Sequence, residues 1–398
     1  MANVSSSNGL EKRPKLRFPG FDEPWRAAQL GNLLIELSDY ATQESGFPLL
    51  TSSRQGLFVQ EDYFIDKQAN AETTVFSVLP YGCITYRHMS DDNIFHFNIN
   101  RLVANGLVSK EYPVFTVRKE VLDTDFLVDT LNSSPLFSVF CIQQKKGGTR
   151  TRLYFKTLCS YQMFLPVLHE QQVIASFIRL LGKRIERQME LVETLKKYKR
   201  GVNKQLLSQI DNSCNCRLGS VCEIVGGGTP DTLHTEYWGS TVEWFTPSEI
   251  GRTKYVSSSV RKLSDIGLNN SSAKLLPIGT VLLTTRATLG EMSIAKRECC
   301  TNQGFQSLIP HQDRALSEYL YYMQIIIKPW CEKYASGNTF REISKSALSN
   351  CIIPLPDRAR QEEIVKLLSS IDTLISAEEG IAMSLSKMRH SLMQQLFI

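Results

Sequence analysis

The sequence predicts an α+β chain in which two mixed α/β globular domains are separated by two long antiparallel helices, a coiled coil, in a pseudo-two-fold internal repeat. Three observations predict it. Residues 171–210 and 361–397 contain no proline, carry glycine only at Gly182, Gly201 and Gly380, and place apolar residues at helical spacing. The two stretches superimpose without a gap at an offset of 190, with Gln171 on Gln361, Ile174 on Ile364, Ile185 on Ile375, Leu195 on Leu385, Lys197 on Lys387 and Gln205-Leu206 on Gln395-Leu396. Ahead of each lies a stretch of short β-like runs broken by Gly, Asn, Asp, Thr and Ser.

With 398 residues, 42% of them hydrophobic, the chain can bury more than one core. Residues 1–17, rich in Ser, Asn, Lys and Arg, read as a flexible tail. The first globular domain is expected over 18–165, with strands at Thr74 to Leu79, Cys83 to Tyr86 and Tyr112 to Val117. The first spacer helix follows over 166–212. A second globular domain over 213–354 has strand candidates at Val242 to Thr246 and Thr280 to Thr285, and the second spacer helix fills 355–398. Leu165-Pro166 and Leu355-Pro356 mark the same point in both copies. The globular halves echo each other in Leu30-Gly31 and Leu218-Gly219, and in Leu79-Pro80-Tyr81-Gly82 and Leu276-Pro277-Ile278-Gly279. They do so again in Gly147 and Thr149, which fall on Gly337 and Thr339.

Heptads assign Ile178, Ile185, Val192, Lys199 and Leu206 to a positions of the first helix, with Ile174, Leu181, Gln188, Leu195 and Val202 at d. The second helix gives Leu368, Ile375, Ala382, Arg389 and Leu396 at a, and Ile364, Ile371, Glu378, Leu385 and Leu392 at d. Both seams are interrupted at the same two places, by Lys199 and Arg389 and by Gln188 and Glu378. A shared defect is stronger evidence of duplication than shared leucines, which any amphipathic helix supplies. At 1.5 Å per residue each helix would run roughly 55 Å, a ruler. If the pair is antiparallel, Gln188 and Glu378 would face each other and fix register.

Function classes narrow by elimination. The net charge of +5 and pI near 8.6 permit a polyanionic partner without demanding one. No signal peptide and no apolar run long enough to span a membrane is found, so a cytoplasmic chain is expected, with its ten cysteines reduced. Cys214, Cys216, Cys222 and Cys299-Cys300 lack the two-residue spacing of a zinc site, and the six histidines show no ligand spacing, so no metal is expected. Phosphate-loop, HExxH, nuclease and adenine-methyltransferase signatures are absent, and no catalytic residue is assigned. Gly226-Gly227-Gly228-Thr229-Pro230 reads as a turn that brings backbone close to something.

An antiparallel pair of near-identical units offers every surface twice, and so implies two copies of one partner and a two-part DNA target with an unread spacer. The globular halves hold the inventory for reading base edges. In the first it comprises Ser53, Arg54, Gln55, Tyr86, Arg87, Asn100 and Arg101; in the second, Thr246, Ser248, Thr284, Arg286, Asn302, Gln303, Gln306, Asn338 and Thr339. The first helix carries nine Lys and Arg against three Glu, the second three against five acids, and Lys197, Lys199 and Arg200 are its phosphate-tracking candidates. A coiled-coil scaffold that binds proteins, and an endonuclease of unfamiliar type, remain as alternatives.

These residues resemble a known family. The run Pro14-Lys15-Leu16-Arg17-Phe18-Pro19-Gly20-Phe21 with Trp25, the segment from Gly226-Gly227-Gly228-Thr229-Pro230 to Tyr237-Trp238, Leu276-Pro277 with Gly279-Thr280-Val281, Thr301-Asn302-Gln303-Gly304-Phe305-Gln306, Ser336-Gly337-Asn338-Thr339-Phe340 and Leu355-Pro356 carry the likeness. The chain is similar over essentially its full length to the specificity subunit of type I restriction-modification systems. That resemblance implies two target-recognition domains, each reading half of a bipartite double-stranded DNA site, spaced by helices that dock two methyltransferase subunits. The chain itself would be non-catalytic and hold no cofactor. S-adenosylmethionine, ATP and Mg would be bound by the methyltransferase and restriction subunits, the complex acting as an adenine-specific DNA methyltransferase and ATP-dependent endonuclease. The first half lacks an equivalent of Thr-Asn-Gln-Gly-Phe-Gln, which fits two different half-sites.

Overall fold

A computed structural model describes residues 11–63, 74–145, 147, 149–286, 288–337 and 341–397. The chain divides into two compact units, residues 1–188 with 381–398 and residues 189–380. The long helices run Leu168–Ser208 and Arg358–Leu396, within three residues of their expected starts. The division passes through both helices and not at their ends, because each core takes side chains from both. In unit 1, Ile174 and Ile178 join Trp25, Phe97, Phe115 and Phe126, as do Met393, Leu396 and Phe397. In unit 2, Val192 and the Ile364, Leu368, Ile371, Ile375 series join Val281, Leu308, Tyr319 and Ile327.

Among the assigned seam positions Ile178, Gln188, Leu368, Ile371 and Ile375 are buried, and Leu181, Ile185, Leu195, Glu378 and Leu385 half-buried. Within unit 2 the helix segments run antiparallel, since Lys196 pairs with Glu379 at 2.9 Å and Lys199, further along, with the earlier Asp372 at 2.5 Å.

The paired strands described in unit 1 are antiparallel, with one isolated parallel bridge between Leu49 and Leu107. A four-stranded sheet orders Phe97–Ile99, Ile84–Tyr86, Val114–Val117 and Leu34–Glu36; a three-stranded one orders Asn105–Ser109, Phe76–Pro80 and Tyr40–Ala41. In unit 2 a five-stranded sheet orders Cys222–Gly226, Gln306–Pro310, Val281–Leu283, Met292–Ala295 and Tyr255–Val256. A four-stranded one orders Trp238–Gly239, Arg261–Leu263, Val242–Phe245 and Cys299–Thr301, the last two in parallel.

The duplication reaches individual hydrogen bonds at the helix roots. Gln171 accepts from the Asp123 amide at 2.8 Å and donates to the carbonyls of Val121 and Pro166, both at 3.0 Å. Gln361 accepts from the Leu316 amide at 3.1 Å and donates to Arg314 and Pro356 at 2.9 and 3.0 Å. Leu30 donates to the Tyr161 carbonyl at 3.0 Å and Leu218 to that of Cys351 at 2.8 Å. The glycine after each of these leucines sits where a side chain would be crowded: a Cβ on Gly31 would meet the Cys159 carbonyl oxygen at 3.1 Å, and one on Gly219 the Ser349 hydroxyl at 1.9 Å.

The tail expected over 1–17 is tied down from residue 11. Glu11–Lys12 pairs with Trp25–Arg26, and Arg17 makes a two-pronged ion pair with fully buried Glu170, which Trp25 Nε1 joins at 3.4 Å. Phe18 packs edge-on against Phe177. Low apolar content suggested freedom, but a buried carboxylate needs the arginine. Residues 1–10 lie outside the described residues.

Candidate nucleic-acid interface

In unit 2 the glycine-rich turn meets two of the loops expected to read bases. The glycine run closes first: a Cβ on Gly227 would sit 2.0 Å from the Asn302 carbonyl oxygen, and the Gly228 amide donates to the Thr301 carbonyl at 2.9 Å. The backbone that the sequence expects to approach something therefore approaches the 301–302 segment. Its Gly228 carbonyl takes the Trp244 indole at 3.0 Å, so this amide and carbonyl are committed internally. Thr229 then reaches the side chain of exposed Gln303. The Asn302 amide donates to the Phe245 carbonyl at 3.1 Å, and its side chain accepts from the Gly304 amide at 2.9 Å, making a tight turn.

Thr246 opens a short helical turn on the other side. Its amide and hydroxyl both donate to Glu249 Oε2, at 2.8 and 2.7 Å, and its hydroxyl lies 3.1 Å from that of exposed Ser248. This is a capping box with proline at the first helical position. Glu249 was missed in reading the sequence, although Thr246-Pro247-Ser248-Glu249 carries the Thr-x-x-Glu signature. Arg286 is half-buried and paired with Glu342 at 2.8 Å.

Several expected contacts are structural instead. Thr284 is buried and its hydroxyl donates to the Thr288 carbonyl, because the bend after Leu283 needs that carbonyl satisfied. Gln306 is half-buried, with Oε1 lacking a hydrogen-bond partner among the described residues. Asn338 and Thr339 lie outside the described residues.

Unit 1 sorts its candidates likewise. Tyr86 is fully buried in an aromatic cluster with Phe97 and Phe115 and donates to the Leu153 carbonyl at 2.9 Å, so it is core. Asn100 is fully buried, giving its amide to Leu79 and Val103 and accepting from the Leu102 and Val103 amides, which is turn chemistry. Ser53, Arg54 and Gln55 form the tip of the hairpin joining Leu50–Ser53 to Gly56–Val59. Ser53 accepts from the Gln55 amide at 3.1 Å, leaving Arg54 and Gln55 exposed. Arg54 reaches Asp92 at 2.5 Å, and with Ser90 holds that carboxyl down to about 2. Arg87 is exposed, and Arg101 is paired with Asp125.

The helix lysines also divide. Lys199 is pointed at Asp372 and lies 5.2 Å from the Tyr322 ring centre, which removes it from phosphate tracking, whereas Lys197 and Arg200 are exposed. Lys199 lines a cleft of about 690 Å³ with Lys254, whose ammonium donates to Tyr322 Oη and Ser369 Oγ at 2.9 Å each and whose pKa burial lowers. Among the described residues no group of three His, Cys, Asp or Glu could hold a metal ion, and no helix is long and apolar enough to cross a membrane.

With this geometry in view, the family described as type I restriction modification DNA specificity domain matches residues 210–387. The MjaIX type I specificity subunit of Methanocaldococcus jannaschii is 34% identical over 186 residues, 46% of this chain and 43% of that one. The second half of the chain thus resembles the specificity domain of type I specificity subunits. The EcoR124I/EcoR124II specificity subunit of Escherichia coli is 28% identical over 222 residues, 52% of this chain and 54% of that subunit. The match thus spans about half the length of these two relatives. A chain solved in work on complex assembly and conformational transition of the type I R-M system covers 96% of this one and 99% of itself, with a TM-score of 0.61 at 18% identity, a likeness of fold. The likeness of fold thus covers both halves of the chain, whereas the family match falls on the second.

Proposed function

We propose that this chain is the cytoplasmic, non-catalytic reader of a bipartite double-stranded DNA target. Each globular domain reads one half-site, and the long helices set the spacing and dock two methyltransferase subunits. Restriction subunits complete the assembly, and S-adenosylmethionine, ATP and Mg belong to the partners. The observation that carries the reading is the convergence of Thr229, Thr246, Ser248, Asn302 and Gln303 on one polar surface of unit 2, in a chain whose relatives are named as specificity subunits. The hairpin tip Arg54-Gln55 and Arg87 are its counterpart in unit 1, and Lys197 and Arg200 supply phosphate contacts.

Docking of partner helices has its own support. Leu367 and Leu374 in unit 2, and Ile381 and Met388 in unit 1, follow one another at heptad spacing on the second helix and are 46, 46, 43 and 51% exposed. An apolar heptad row turned away from the buried seam is what a further helix packs against.

Methylated adenines mapped in the host genome with and without this gene test the reading. Loss of one split motif is expected. Duplexes of that motif should bind the chain with its methyltransferase partner far more tightly than scrambled ones, and less tightly as salt rises. A protein-binding scaffold predicts no motif and no salt dependence. Exchange of residues 20–163 for those of a relative should alter one half-site; a change in both would rule out independent reading.

A further inference from the structure

We infer that Val260 is an apolar probe on the reading surface of unit 2 that meets the 5-methyl group of a thymine, an inference that rests on the DNA-reading role proposed above. Its side chain is 87% exposed, yet the loop carrying it is fixed at three successive residues. Ser259 donates its amide and hydroxyl to Glu243 Oε2 at 2.7 and 2.8 Å, and Glu243, only 5% exposed, is itself held by Lys262 at 2.7 Å. The Val260 amide donates to Glu249 Oε1 at 2.7 Å. The Arg261 guanidinium lies 3.4 Å from the centre of the Trp238 ring.

A plain connection between Tyr255–Val256 and Arg261–Leu263 needs no such series of charge-assisted bonds. Singly exposed apolar side chains are ordinary on a protein surface; an exposed one held this firmly is not. The effect of the bonds is to remove the loop's freedom before a partner arrives, so that little is lost on binding. Valine adds to this, because branching at Cβ stiffens χ1.

Glu249 places the probe. Its Oε2 takes the Thr246 amide and hydroxyl while its Oε1 takes the Val260 amide, so one carboxylate pins both loops and sets Val260 beside Thr246 and Ser248. The polar residues of that surface can satisfy donors and acceptors on base edges. The thymine methyl is the feature of the major groove that calls for an apolar atom, and Val260 presents one at the cluster's edge.

The test uses the full chain assembled with the methyltransferase subunits of its host, and duplexes of the target mapped from methylated adenines. Each thymine of the target, including those opposite the methylated adenines, is replaced in turn by deoxyuridine, which lacks only the methyl. Binding is measured for the wild type, for Val260→Ala, and for Val260→Thr, which keeps the shape but exchanges a methyl for a hydroxyl.

One replacement should weaken the wild type about fourfold, the factor that corresponds to one buried methyl-sized group. Both variants should bind the parent duplex more weakly by a similar factor and be indifferent to that replacement. The inference is overturned if the wild type tolerates every replacement, or if both variants stay as sensitive as the wild type. Those outcomes leave specific binding intact; absence of any preference for the mapped duplex would instead remove the reading role itself.

Discussion

The two units share the hydrogen bonds at their helix roots but differ in the residue that precedes them. Gln171 and Gln361 do the same work on the same kinds of backbone group. One residue earlier, unit 1 has Glu170, fully buried and clasped by Arg17 and Trp25, whereas unit 2 has Arg360, which pairs with Glu363 in the next turn. The N-terminal segment is thus an addition to one copy of a duplicated root. What is shared serves the common task of joining a domain to a helix, and what is unshared shows where each copy was refitted.

The largest expected effect tests that difference. Glu170→Ala strands Arg17 and the Trp25 indole, and should cost unit 1 about 3 kcal/mol, as breaking a buried ion pair does. Arg360→Ala, at the matching position, removes an exposed pair and should stay within about 0.5 kcal/mol. Chemical denaturation of the two variants beside the wild type measures both; equal losses would show that the copies are not differently built there.

The shared feature gives the next largest effect. Gln171→Leu and Gln361→Leu each leave one amide and two carbonyls without their partner, at a cost of about 2 kcal/mol apiece. Amide exchange at Asp123 and Leu316 should quicken in the corresponding variant only. If one substitution were neutral, the equivalence of the roots would be geometrical without being energetic.

These roots were legible in the sequence only as an alignment: Gln171 over Gln361 and Leu30-Gly31 over Leu218-Gly219. Periodicity exposed the helices because their burial repeats along the chain, and each seam position named from the heptads proves buried or half-buried. Contacts between distant segments leave no such trace. Nothing in the composition of residues 11–17 shows that a carboxylate 153 positions away is waiting for Arg17. The reading loops fared between these extremes. Residue type alone could not separate Asn302, on an accessible turn, from Asn100, whose side chain is spent on four backbone bonds. Thr246 and Thr284 look alike in sequence, but one caps an accessible turn and the other is sealed in a bend. Glu249 was legible and overlooked, since the capping-box spacing announces it.

A third contrast lies where both seams carry a cation. Lys199 in unit 2 has Asp372 at 2.5 Å, both side chains about a fifth exposed, with Tyr322 bonded to the same carboxylate at 2.6 Å. The residue matching Asp372 in unit 1 is Gly182, and Arg389 faces Asp129 in a cleft of about 440 Å³. Lys199→Met should cost unit 2 about 1 kcal/mol, since the pair is only half-sheltered and Asp372 keeps its tyrosine. Denaturant midpoints would show it, and no loss would mean that the tyrosine alone satisfies Asp372.

The smallest effect is a difference in pH response. Asp129 stands six residues beyond the amide that Gln171 accepts, and Tyr322 six beyond the one that Gln361 accepts. Burial pushes the Asp129 carboxyl up to about 7, against the opposing pull of Arg389. A carboxyl whose folded pKa is raised binds more protons folded than unfolded over the interval between its ordinary value and 7. Its contribution to unit 1 is therefore complete below about pH 4 and is lost as pH rises through about 7. Asp129→Asn should remove that slope, leaving Tm nearly unchanged at pH 4 and above the wild type at pH 8. Arg389→Met, by withdrawing the larger of the pulls that Arg389 and Arg101 exert toward the charged form, should move the wild-type slope to higher pH. Tyr322→Phe in unit 2 should produce no dependence in this range, because burial and the Asp372 bond keep that phenol protonated far above it. Thermal scans of these variants from pH 4 to 8 decide the matter: a constant offset between Asp129→Asn and the wild type at every pH would mean that Asp129 does not titrate there, and the two seam cations would then differ in partner but not in chemistry.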